Sequence, residues 1–252
     1  MIPLFVIGNQ LDVNPNAISS AATDYTSNLL LWWKFSELTG TVAGDSSGHG
    51  LTGSLINGPT WASSNSGLTF NGTSQYVVVN NGVYPNNPTL SISIWRNDTV
   101  VPPSPFDSFA VATLNDVPSA GLSMDLDDST SQYLCDCDAQ YTEWLFAPSA
   151  GTWYNIIAIW INGNPYTQKL YVNGILQSID SSNSGGSTST LTQNGVFSVG
   201  AGSIAGSGAT PHYYMKGSIN DVRVYNEDLS ATPGRINLIY QAGLNAPGGH
   251  GF

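Results

Sequence analysis

Apolar and polar positions alternate with a period of two along most of the 252-residue chain, and helical periodicity is nearly absent. Alternation points successive side chains to opposite faces, so it predicts strands with one face turned to a core. These strands run over Leu30–Lys34, Leu68–Phe70, Tyr76–Val79, Leu90–Trp95, Phe109–Thr113, Gly121–Leu126, Tyr133–Asp138, Trp153–Ile161, Gln168–Val172, Val196–Ala201 and Ser218–Tyr225. Turn signals such as Asn57-Gly58-Pro59, Asn71-Gly72, Asn162-Gly163-Asn164 and Asn173-Gly174 separate them. One helix is predicted near the C-terminus: Ser230 caps it, Pro233 suits its first turn, Ile236, Ile239 and Tyr240 form one stripe, Gly234 weakens it and Gly243 ends it. Many short strands with one short C-terminal helix predict an all-β, two-sheet antiparallel sandwich, because each sheet must hide its apolar face against the other. The irregular stretch 1–27 reads as an N-terminal arm, 28–243 as the sandwich and 244–252 as a C-terminal tail.

Charge narrows the function classes. Six Lys and Arg stand against 17 Asp and Glu, a net charge of −11, which excludes nucleic acid as a partner because nothing here could neutralise a row of phosphates. Charged residues are only 9% of the chain while hydrophobic ones are 41%, so a core is affordable and Ser, Thr, Asn and Gly must cover the surface. The apolar runs Met1–Ile7 and Leu29–Trp33 are far shorter than the roughly 20 residues of a membrane-spanning helix, and no membrane insertion is expected. No basic residue precedes the first run and no small-residue cleavage site follows soon after, so no secretion signal is expected. Cys135 and Cys137 share one strand face with poor geometry for bridging each other, and read as small buried residues.

Five segments, in order, carry a family resemblance. Leu30-Leu31-Trp32-Trp33-Lys34-Phe35-Ser36-Glu37 through Gly40, then Asp45-Ser46-Ser47-Gly48-His49-Gly50, then Gly67-Leu68-Thr69-Phe70-Asn71-Gly72 with Gln75-Tyr76-Val77 resemble the opening of laminin-G-like, concanavalin A-type lectin/glucanase domains. Gly151-Thr152-Trp153-Tyr154 with Lys169 to Gly174, and Gly217 to Asn226 with Leu229-Ser230, are similar to that family's later strands. The resemblance spans about residues 28–243 and implies a jelly-roll sandwich, with Trp153, Tyr171, Val172, Val222 and Val224 expected between the sheets. It also implies a structural Ca²⁺ held by Asp45 and Asp221. The loop around Asp45 offers the oxygen-rich surroundings that Ca²⁺ takes, and a hydrogen-bonded Asx turn is the alternative. Arg223, on one strand face with Asp221 and Tyr225, is expected to make an ion pair or bind a carbonyl.

Asp125, Asp127, Asp136 and Asp138 alternate with apolar residues and are expected on solvent faces of two neighbouring strands. Paired carboxylates invite a glycosidase reading. Glu37, Glu143 and Glu227, however, lie far apart, so the Glu-x-Asp-x-x-Glu strand of the related glucanases is missing and no enzymatic activity is expected. Sugar binding needs aromatic platforms beside polar groups, and Tyr213, Tyr214, Trp144 and Tyr141 are the candidates. Two functions follow. One is a non-catalytic structural subunit on a virion exterior, a decoration, spike or fibre-type protein of a bacteriophage, made in the host cytoplasm and held to neighbouring subunits through residues 1–27 and 244–252. The alternative is a carbohydrate-binding adhesion module, extracellular or at a cell surface.

Overall fold

The computed structural model describes residues 26–63, 67–80, 82–86, 88–101, 108–114, 122–127, 130, 132–137, 140–163, 166–183, 196–202 and 211–245. Two antiparallel sheets face each other. The eight-stranded sheet runs in the order β14 (Ile175–Leu176), β13 (Thr167–Val172), β12 (Trp153–Ile161), β7 (Leu90–Asp98), β17 (Lys216–Tyr225), β5 (Leu68–Asn71) and β4 (Thr60–Trp61), with β1 (Leu29–Trp33) also paired to β17. The nine-stranded sheet runs β15 (Ile179–Asn183), β11 (Gln140–Trp144), β10 (Tyr133–Cys137), β9 (Leu122–Leu126), β8 (Ser108–Leu114), β16 (Val196–Val199), β6 (Tyr76–Val79), β3 (Gly53–Ile56) and β2 (Val42–Ala43). Consecutive strands repeatedly lie in different sheets, as in a jelly roll. Each predicted strand coincides with an observed one, while the short β2, β3, β4, β11, β14 and β15 carry too few alternating positions to announce themselves.

Between the sheets lies one large core in which Trp33, Phe70, Ile92, Met124, Tyr133, Trp144, Trp160, Phe197, Val222 and Val224 are buried. The inward residues follow period two on each strand. Leu170 and Val172 face inward, so Tyr171 must face outward, where it packs with Ile157, Ile159 and Tyr225 in a second cluster. Of the five residues expected between the sheets, Val172, Val222 and Val224 are there, Tyr171 is on the outer side, and Trp153 is half-buried outside either core. An ion pair sits within the sandwich: Arg96, 2% exposed, donates through Nε and Nη2 to both oxygens of Asp98 at 2.7 and 2.8 Å, and through Nη1 to Tyr133 Oη at 3.3 Å. Burial pushes the Tyr133 hydroxyl well above its usual range.

The second cluster is roofed by helix α1 (Arg235–Leu244), the only α-helix among the described residues, through Ile236 and Ile239. Its start differs from expectation. Asp228, not Ser230, is the capping side chain, and it opens a 3-10 turn over Leu229–Ala231. Gly234 at φ 80° then makes the N-cap of α1. Gly243 lies inside the helix, where a Cβ would come within 2.0 Å of Trp95 Nε1, so glycine there is a demand for space. Trp95 in turn stacks on Tyr240, ring centroids 5.8 Å apart. No helix among the described residues is long and apolar enough to cross a membrane. The terminal segments expected to engage neighbouring subunits, save residues 26–27 and 244–245, lie outside the described residues.

Candidate functional site

Asp45 and Asp221 flank one side chain, Trp32. The Trp32 backbone N–H donates to Asp45 Oδ1 at 3.0 Å, and its indole N–H to Asp221 Oδ1 at 2.7 Å. Asp45 closes an Asx turn: Oδ1 also accepts from Ser47 N, and Oδ2 from Ser47 Oγ and Leu51 N, at 2.8–2.9 Å. Burial alone would raise the Asp45 pKa, but the donors from Ser47, Leu51 and Trp32 outweigh it and hold the carboxyl below its ordinary value. Asp221, at φ 50° where β17 bulges against β7, takes both Arg223 Nε (2.9 Å) and Nη2 (2.7 Å). The Tyr225 hydroxyl nearby is pushed up to about 12, chiefly by burial. This donor set does not fit a cation. All four lone pairs of Asp45 face N–H or O–H groups, Asp221 is neutralised by a guanidinium, and no three His, Cys, Asp or Glu gather among the described residues. The two carboxylates instead bind the loop and β17 to β1.

The acidic strands are also placed differently from expectation. On β9 the parity is as read, with Leu122, Met124 and Leu126 inward, yet Asp125 on the other face is only 3% exposed. Its Oδ1 accepts from Ser123 Oγ at 2.9 Å. Glu143 on β11 is 8% exposed and accepts from the hydroxyls of Thr130 and Ser181. The outer face of this part of the sheet is therefore covered, and Asp125 does not meet solvent. Asp127 is half-buried and closes its own turn with Thr130 N–H at 3.0 Å. The Asp136 side chain and Asp138 fall outside the described residues.

The four aromatic candidates do not converge. Trp144 is 1% exposed and lies opposite Tyr133 across β10 and β11, both turned into the core, so it offers no face to a sugar. Tyr141, one residue along in parity and 36% exposed, sits on the outer face of β11. Five strand steps, about 24 Å at the usual spacing, separate it from β6. Tyr214 meets a residue that sequence reasoning missed, Tyr76, while the Tyr213 ring lies beside that of His212.

This cluster forms where the chain crosses from β16 to β17. Gly202 and His212 exchange backbone hydrogen bonds, and Tyr213 follows at φ 52°, a conformation uncommon for an aromatic residue. Tyr214 comes back beside the start of β6, its ring centroid 6.3 Å from that of Tyr76 at an interplanar angle of 44°. Its hydroxyl donates to Pro211 O at 3.1 Å, which fixes the ring's direction. Burial, and then the neighbouring Tyr214, raise the Tyr76 pKa, so the phenol is a neutral donor. His212 and Tyr213 rings lie 6.5 Å apart beside it. All four side chains are half-exposed. Just ahead of Tyr76 in the chain, Asn57, Ser74 and Gln75 tie two loops together: Gln75 Nε2 donates to Gly58 O at 2.7 Å, and Asn57 Nδ2 to Ser74 O at 2.8 Å. The result is a half-exposed pair of tyrosine rings, with His212 and Tyr213 next to Tyr214 in the chain.

The sheet order and core agree with one family model, that of the concanavalin A-like lectin/glucanases superfamily, which matches residues 71–233. The chain belongs to this superfamily. Among solved structures, this superfamily member is similar to domain 4 of AbnA, a GH43 extracellular arabinanase from Geobacillus stearothermophilus, solved in complex with arabinotriose. That match has a TM-score of 0.60 at 16% identity and covers 85% of this chain and 98% of that domain. It is also similar to the ligand binding domain of botulinum neurotoxin serotype D, solved in complex with N-acetylneuraminic acid, with a TM-score of 0.63 at 14% identity, covering 89% of this chain. The chain spans about half, 53%, of that toxin domain. The receptor binding domain of the botulinum neurotoxin C/D mosaic serotype matches with a TM-score of 0.60 at 14% identity, over 87% of this chain and 52% of that one. At these identities the likeness is one of fold. No curated protein matches the sequence.

Proposed function

We propose that this lectin-like sandwich is a carbohydrate-binding module and that Tyr76 and Tyr214 form its sugar platform, with His212 and Tyr213 at the rim. The observation that carries the reading is the half-exposed pair of tyrosine rings 6.3 Å apart, one of them held by its own hydroxyl. A sugar ring has an apolar face edged by hydroxyls, and aromatic faces beside fixed donors and acceptors match both parts. Two fold neighbours, solved with arabinotriose and with N-acetylneuraminic acid, support the ligand class. Binding rather than cleavage is favoured because Asp125 and Glu143 are buried and held by hydroxyls, away from the tyrosines. The virion-exterior reading keeps only its sequence support, the scarcity of charge over a Ser, Thr, Asn and Gly surface. Screening the protein and its Tyr214→Ala variant on a glycan array tests the proposal: the wild type retains specific glycans and the variant loses them by about tenfold or more in affinity. Retention of every glycan by the variant contradicts it.

A further inference from the structure

Asn-Gly dipeptides recur in the turns of this chain, and those at 57, 71 and 173 differ in how the asparagine amide is held. Asn71 ends β5 and is exposed. Its Oδ1 accepts two backbone N–H groups, from Thr73 at 2.9 Å and from Ser74 at 3.1 Å, an Asx turn with both donors aimed at one carbonyl oxygen. Its Nδ2 donates to Ser74 Oγ over a long 3.4 Å. Residue 72 has to be glycine, because a Cβ there would lie 2.8 Å from Lys216 Cβ, and its φ of 76° is one that glycine adopts without steric strain. The peptide nitrogen that follows Asn71 is therefore unshielded by any side chain of its own residue. The other two asparagines are held differently. Asn57 and Asn173 stand at φ 56° and 49°, the left-handed conformation in which the next peptide nitrogen points away from the residue's own side chain. Asn57 Nδ2 also donates to Ser74 O at 2.8 Å, and Asn173 is half-buried, with Oδ1 accepting the N–H of Asn155 at 2.9 Å.

We propose that Asn71 is a self-modification site, at which the side-chain amide is converted to aspartate and isoaspartate through a cyclic imide. The Gly72 backbone nitrogen attacks Asn71 Cγ and loses its proton to water, the Cγ–Nδ2 bond breaks, and ammonia leaves with a proton taken from water. Water then adds to either carbonyl of the ring. Opening on one side leaves aspartate, opening on the other leaves isoaspartate, and nothing is oxidised or reduced. In the first step negative charge develops on Oδ1, the atom on which the N–H groups of Thr73 and Ser74 converge, an arrangement that stabilises an oxyanion. The nucleophile is the next peptide nitrogen of the same chain, so its effective concentration is high, and Asn71 at the end of a strand keeps it on the near side of the side chain. Conversion to aspartate places a carboxylate at the strand position paired with Lys216 across β5 and β17, while isoaspartate lengthens the main chain there by a methylene group.

The test follows the Asn57, Asn71 and Asn173 peptides by mass spectrometry while the full chain is held at mildly alkaline pH, once folded and once in concentrated guanidinium, with electron-transfer fragmentation to separate aspartate from isoaspartate. In denaturant the turns are lost and each Asn-Gly dipeptide reacts at its intrinsic rate. A preorganised oxyanion donor is worth about 100- to 1,000-fold in a dry site, and less at an exposed turn. The ratio of folded to denatured rate at Asn71 is therefore expected to exceed the ratios at Asn57 and Asn173 by about tenfold, with both isomers appearing at 71. A ratio at Asn71 no greater than at the other two overturns the inference, as does aspartate at 71 without isoaspartate, which would mean direct hydrolysis of the amide.

Discussion

The indole N–H of Trp32 donates to Asp221 Oδ1 at 2.7 Å and thereby joins the first strand to the last across 189 positions of sequence. Arg223 lies over the same indole at 4.8 Å while pairing with the same carboxylate, so ring, guanidinium and carboxylate form one unit. Trp32→Phe keeps an aromatic six-membered ring and removes the pyrrole ring together with its N–H donor. A hydrogen bond to a charged group is worth about 1.5–3 kcal/mol, so Tm should fall by several degrees. Asp221→Ala leaves the Arg223 guanidinium without its carboxylate and should cost about 3–5 kcal/mol, read by denaturant unfolding. A Trp32→Phe variant as stable as wild type would show that the indole bond contributes nothing.

Protein donors occupy Asp45 and an arginine occupies Asp221, so stability at this place is expected to be independent of metal. Adding EDTA should leave Tm unchanged in a calorimetric scan. A drop that calcium restores would show that these carboxylates exchange their donors for a cation.

The Asp45 turn should reveal itself in the pH dependence of stability. Its folded pKa lies below the ordinary carboxylate value, so its stabilisation is fully present above the unfolded pKa near 3.8 and is lost as pH falls through the folded value. Wild type should therefore exceed Asp45→Asn in Tm at pH 7, with the gap closing below about pH 4. A gap that stays constant down to pH 2 would show that the charge is irrelevant.

Gly243→Ala sets helix propensity against space. Alanine in a helix is favoured by about 1 kcal/mol over glycine, but here the methyl group would strike Trp95 Nε1. Overpacking should win, with a net loss of about 1–2 kcal/mol in chemical denaturation, and Trp95 fluorescence should shift. A stabilised variant would mean that α1 can lift away from β7 at little cost.

Local alternation made the two-sheet sandwich legible, since Leu170 and Val172, or Leu122, Met124 and Leu126, face inward by parity alone. Parity did not reveal which outer faces are covered a second time. Asp125 has the parity of a solvent residue and is buried nonetheless. Trp144 shows the converse, since its pairing with Tyr133 decides its direction and that pairing depends on a register no local pattern displays. Of the candidate platform, Tyr213 and Tyr214 were legible as aromatic residues after a glycine-rich loop. Tyr76 was not, because its role arises only when the crossing from β16 to β17 sets Tyr214 against the start of β6. Period two still carried a hint, since Val77 and Val79 inward require Tyr76 outward. For Asp45 and Asp221 the residues were found, but their chemistry was settled by donors, Trp32 above all, that lie far away in sequence.

Chemical-shift mapping with a glycan retained on the array tests the central claim most directly. The account predicts that perturbations centre on Tyr76 and on His212 through Tyr214, and that they disappear in Tyr214→Ala while the rest of the spectrum is preserved. Perturbations centred on Tyr141 and the outer face of β9 to β11, with the Tyr76–Tyr214 surface silent, would contradict it.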